Sequence, residues 1–216
     1  MQLLSNTLGR KVLMAATGLF MPLFVAVHLL GNSSIFAGPG GVNAYAAKLH
    51  GLGPFVWVFR LFMGAMLAVH LIFGVLLTLD NRAANPGKYA VKKMLKATFA
   101  SETMIWTGLL PLAFVVFPLL DPTVGAVVAV AGFQHLQAFQ NVVATFHSPL
   151  KVAAYGISLV SLGLHLSHGL YSMFQSLGFR HPLWTPTIQK AAVVLAFFLA
   201  LFYLFIPAGV VFGRIY

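Results

Sequence analysis

Apolar residues run in long blocks along this chain, and polar residues gather in the short gaps between them. Five blocks, roughly 11–30, 55–79, 102–120, 150–177 and 188–212, are apolar along their whole length and not on one face only. A helix rises only ~1.5 Å per residue, so about 20 apolar residues are needed to cross the hydrocarbon core of a bilayer. The pattern predicts an all-α integral membrane bundle of five transmembrane helices, forming a single domain over 1–216. Thr123–Phe133 is apolar but spans only 11 residues. It predicts an interfacial helix or a buried lid and not a sixth span. No small-residue cleavage site follows the first block, so it is expected to stay as the first helix. No strong internal repeat is evident.

Composition supports lipid as the solvent. The chain is 60% hydrophobic and 7% charged, against about 25% charged residues in soluble domains. It has no cysteine, which excludes disulfides, thiol catalysis and iron–sulfur ligation by this chain. The acidic residues are Asp80, Glu102 and Asp121, too few for paired-carboxylate chemistry or a calcium cage. The net charge of +10 does not point to nucleic acid, because Lys and Arg sit at the ends of the apolar blocks. There they set topology, and such a basic rim suits acidic lipid headgroups or an acidic partner subunit. With the N-terminus inside, nine of the basic residues fall on inner segments and four on outer ones, which predicts N-inside, C-outside. The 80–101 loop is the most basic stretch, and Asn85-Pro86-Gly87 turns it.

Histidines within the apolar blocks are the candidate chemistry, because a polar side chain at membrane depth is costly and generally functional. His70 and His165 each lie ten residues before the expected inner ends of their helices, near Asp80 and Gln175. That is roughly 15 Å of helix in both cases, so the two are level. Two level histidines on neighbouring helices can take both axial positions of a haem iron. Gly74 and Gly169 each follow their histidine by four residues, on the same helix face. Glycine there makes room for a flat macrocycle, although it also serves ordinary helix packing in lipid.

His28 lies on helix one, roughly 25 Å from the inner surface. A level partner on helix three falls at Pro118 or Leu119, and neither is a usual iron ligand. His135 in the long outer segment and His147 before helix four are the remaining candidates. The competing reading is a single haem, with His28 hydrogen-bonded or facing a quinone. His168, one turn after His165, is a candidate propionate or water contact, or simply a polar residue satisfied by a neighbouring helix. His50 on the outer loop is a candidate quinone or proton-handling group, and His181 before Pro182 reads as a solvated or interfacial loop residue.

The motifs as a set resemble a known family over nearly the whole chain. They are Thr17-Gly18-Leu19-Phe20 through His28-Leu29-Leu30-Gly31-Asn32, Asn43-Ala44-Tyr45-Ala46 with Leu49-His50, His70-Leu71 with Asn81-Arg82-Ala83-Ala84, and Met104-Ile105-Trp106-Thr107-Gly108. Leu164-His165-Leu166-Ser167-His168-Gly169-Leu170-Tyr171-Ser172, continuing to Phe174-Gln175-Ser176-Leu177-Gly178, is the most specific. The chain resembles the cytochrome b membrane anchor of succinate:quinone oxidoreductases and fumarate reductases, in the type with one five-helix subunit and usually two b haems.

The resemblance implies that His70 and His165 ligate the inner haem b and that His28 is one ligand of an outer haem b. The family's fourth ligand is a histidine near the end of helix three, where this chain has Pro118. Either another residue replaces that ligand, or the outer haem is absent or bound differently. Some members carry an acidic residue on the outer loop after helix one; none lies between Lys11 and Arg60, and His50 is the nearest titratable group. The resemblance also implies a flavoprotein partner that interconverts succinate and fumarate. An iron–sulfur partner would dock on the basic inner loop, and the membrane quinone would be menaquinone or ubiquinone. The cell inner (cytoplasmic) membrane is the expected location, and assembly of the complex into a higher oligomer is left open. The alternatives are a haem-poor or haem-free anchor that mainly supplies a quinone site, and a small transporter with a histidine proton relay. Few acidic residues and no discontinuous-helix pattern argue against the transporter.

Overall fold

A computed structural model describes residues 6–84, 97–120 and 138–216. The expected segment 123–133, the candidate His135, the turn Asn85-Pro86-Gly87 and most of the basic inner loop lie outside the described residues. Among the described residues the fold is all-helical, with no strand.

Helix α1 (Thr7–Asn32) starts where the Asn6 side chain accepts the Gly9 N–H at 2.5 Å. That cap satisfies one of the donors a helix start leaves free. A 3₁₀ turn (Ser33–Ala37) leads at Gly38, with φ 75°, into α2 (Gly38–Gly51). Gly53, with φ 55°, reverses the chain before α3 (Pro54–Ala84). A short α4 (Phe99–Glu102) opens on a capping box between Thr98 and Ser101. It is followed by α5 (Met104–Leu120), α6 (Ala138–Phe146), α7 (Pro149–Ser176) and α8 (Thr185–Val211).

Four helical stretches are long and apolar enough to cross a membrane: Thr7–Gly51, Pro54–Ala84, Pro149–Ser176 and Thr185–Val211. The third expected span, α5, has 17 residues, at the short end of what a bilayer requires. The exterior is apolar, as lipid demands: Phe55, Val58 and Leu61 on α3 and Val194, Phe197 and Phe198 on α8 are all exposed. In water a patch of that extent would drive association.

Helix α7 is the hub, packed against α8, α5, α1 and α6, while α1 also packs along α3. Small residues let α7 and α8 approach closely. Ala196 is fully buried, and a Cβ added to Gly163 would lie 3.1 Å from the Cβ of Ala200. The association of helices in lipid favours such close backbone packing. Tyr203 on α8 donates its hydroxyl to the Val25 carbonyl of α1 at 2.8 Å. At one end of the bundle Arg10 of α1 pairs with Asp80 of α3 at 2.6 Å, so the start of α1 and the end of α3 share one side.

Candidate haem-type histidine pair

His70 on α3 and His165 on α7 come together. Their ring centroids are 6.3 Å apart and the ring planes are inclined by 77°. A metal–imidazole nitrogen bond is ~2.0–2.1 Å, so two imidazoles on opposite sides of one ion would have ring centres roughly 6.2–6.4 Å apart. The observed separation matches. No hydrogen bond joins the two rings among the described contacts.

Each ring rests on a glycine of a neighbouring helix. A Cβ at Gly18 of α1 would lie 3.0 Å from Cε1 and 3.3 Å from Nδ1 of His70. A Cβ at Gly108 of α5 would lie 2.9 Å from Cε1 and 3.3 Å from Nδ1 of His165. Only glycine leaves the Nδ1/Cε1 edge of each ring this close to a helix backbone.

Second-sphere bonds orient the first ring. Nδ1 of His70 lies 3.1 Å from the Met14 carbonyl oxygen and 3.5 Å from the Thr17 hydroxyl. A carbonyl only accepts, so that contact requires the proton on Nδ1 and leaves the Nε2 lone pair for a metal. For His165 the equivalent backbone is that of Met104, which lies close enough to interact with Nδ1. No hydrogen bond forms there, and Nδ1 of His165 is a buried polar atom without a partner. Such an orphan is costly in an apolar interior.

Additions at Gly74 and Gly169 would meet only Met14 Sδ at 4.0 Å and Met104 Cε at 3.9 Å, ordinary contact distances. Among the described residues no three His, Asp or Glu side chains gather as a metal cluster. The donor set is two imidazoles in an apolar surround, which fits a haem iron, whose macrocycle would supply the other ligands.

The remaining histidines stand apart from this pair. His28 is at an exposed position of α1, stacked on Phe24 at 5.2 Å and tilted towards Tyr203 at 6.3 Å. Its ring neighbours are thus on α1 and α8. His147 is exposed at the end of α6 and shares no ring contact with His28. His168 is half-buried one turn beyond His165, and His50 is exposed on α2. His181 lies in the exposed turn before α8, where its Nδ1 accepts the Leu183 N–H at 3.3 Å and its ring meets Trp184 edge-on at 5.1 Å.

Sequence reasoning did not identify Met14, Gly18, Met104 and Gly108 as neighbours of the site. A signal was present: Met14-Ala15-Ala16-Thr17-Gly18 recurs as Met104-Ile105-Trp106-Thr107-Gly108. No family model, curated protein or solved structure matches the chain.

Proposed function

We propose that this chain is the membrane anchor and haem b subunit of a succinate dehydrogenase or fumarate reductase. It would pass electrons between an iron–sulfur subunit and a membrane quinone, menaquinone or ubiquinone, in the cytoplasmic membrane. The observation that carries the reading is the His70–His165 pair, with centroids 6.3 Å apart and a glycine under each ring. A haem held there would supply one-electron transfer at membrane depth. The chain's own part is to present two neutral imidazoles, fix the tautomer of His70 through Met14, and exclude water with an apolar surround. The dicarboxylate chemistry would belong to a flavoprotein partner.

His28 supports a single haem in this chain. A second bis-histidine centre needs a facing ligand, and the position expected to supply one holds Pro118. The test is a reduced-minus-oxidised spectrum with haem counted per chain. One b haem is the expected result. A protein without haem overturns the reading, and two haems per chain would assign His28 a partner and overturn the single-haem form.

A further inference from the structure

The two halves of the histidine site are built alike, down to the helix that supports each ring. With a constant offset of 90 residues, α1 and α5 share Met14/Met104, Thr17/Thr107, Gly18/Gly108, Leu19/Leu109, Phe24/Phe114 and Val25/Val115. With an offset of 95, α3 and α7 share Leu67/Leu162, His70/His165, Leu71/Leu166 and Gly74/Gly169. Around the histidines the equivalence is also spatial. Gly18 underlies His70 as Gly108 underlies His165, and Met14 faces Gly74 as Met104 faces Gly169. Thr17 and Thr107 are both buried at 6% exposure. Both turn their hydroxyls back onto their own helix, Thr17 to the Leu13 carbonyl at 2.8 Å and Thr107 to the Thr103 carbonyl at 3.0 Å. This weak repeat becomes apparent only when the two halves are set around the histidine pair. It is hard to see in the sequence because most of the intervening positions differ while remaining apolar.

We infer that the site is a duplicated helix hairpin, and that each Met-x-x-Thr-Gly turn is the positioning element of the histidine opposite it. In each copy the glycine admits the ring edge, and in the first copy the methionine carbonyl four residues earlier accepts the Nδ1 proton of His70. The methionine side chain then floors the space beside the ring. The Met14 bond selects the Nδ1–H tautomer of His70, and the repeat assigns the same tautomer to His165. The arrangement is tighter in the first copy, where the Met14 bond is formed, than in the second, where Nδ1 of His165 has no partner. The same offset of 90 sets Pro118 against His28, so the two copies differ at the outer position.

This inference deepens the haem reading but does not depend on haem for its test. The measurement is ¹⁵N NMR of the full chain in membranes, labelled at histidine and reduced, with lines assigned by His70→Gln and His165→Gln. The expected result is a protonated Nδ1 on both rings, more strongly hydrogen-bonded at His70 than at His165. Gly18→Ala should then shift the His70 Nδ1 line alone, and Gly108→Ala the His165 line alone. Gly64→Ala and Gly156→Ala, where an added Cβ meets nothing within 4 Å, should shift neither. An Nε2-protonated ring at either position overturns the inference, and that result needs no substitution to tolerate folding. Unmoved lines in both Gly18→Ala and Gly108→Ala overturn it as well. A haem-free protein with Nδ1–H on both rings would keep the inference and sink the haem reading. A haem protein with unmoved lines would do the reverse.

Discussion

The Met14 carbonyl oxygen lies 3.1 Å from Nδ1 of His70, and this contact decides which nitrogen of the ring remains for a ligand. A backbone acceptor cannot be removed by substitution and cannot change its protonation state. It therefore holds the tautomer more firmly than a side chain would.

Loss of either inner histidine should remove the same chromophore. His70→Ala and His165→Ala are each expected to abolish the low-spin b-type absorbance of the complex, whereas His28→Ala should keep it. Visible spectra of membranes from the three variants decide the matter. A normal spectrum in His165→Ala would refute the ligand assignment.

Helix α5 is the element on which topology turns. Its 17 residues amount to roughly 25 Å of helix, close to the minimum for a span. If it crosses, the two termini lie on opposite sides of the membrane, with the N-terminus inside. Reporter fusions at both termini are expected to give opposite signals. Signals from the same side would leave four crossings.

Tyr203→Phe removes the one hydroxyl that bonds α8 to the Val25 carbonyl and leaves the ring in place. The expected cost is about 0.5–1.5 kcal/mol. Thermal unfolding in detergent should shift downward while the absorbance of the histidine site is unchanged.

At Gly31 an added Cβ would collide with the hydroxyl and ring of Tyr45. Overpacking of this kind costs about 1–3 kcal/mol. Gly31→Ala should therefore unfold at clearly lower temperature than Gly64→Ala, which meets open space. Equal melting temperatures would show that the α1–α2 corner relaxes freely.

The Arg10–Asp80 pair joins the ends of α1 and α3, but its side chains are 20% and 40% exposed. Ion pairs in such settings contribute about 0–1 kcal/mol. Asp80→Asn should accordingly leave both the melting temperature and the chromophore nearly as they are. Loss of the chromophore would mean that the pair sets the helix register.

Much of this protein could be read directly from its chain. Long apolar blocks define helices because a backbone in lipid must satisfy its own hydrogen bonds. Some observed helices extend the expected spans, as with Thr7–Asn32 against 11–30, whereas α5 begins two residues after the expected 102. The pairing of His70 with His165 was legible for a related reason: a constant rise per residue turns position along a helix into depth. Sequence could not reveal which residues support the rings. Gly18 and Gly108 lie 52 and 57 positions from the histidines they cradle, and a glycine among apolar residues looks like any other packing glycine. Depth is a one-dimensional quantity that a single helix carries. The direction each helix faces depends on how α1, α3, α5 and α7 pack together. Only that packing sets a ring edge against a glycine and places His28 beside Phe24 and Tyr203.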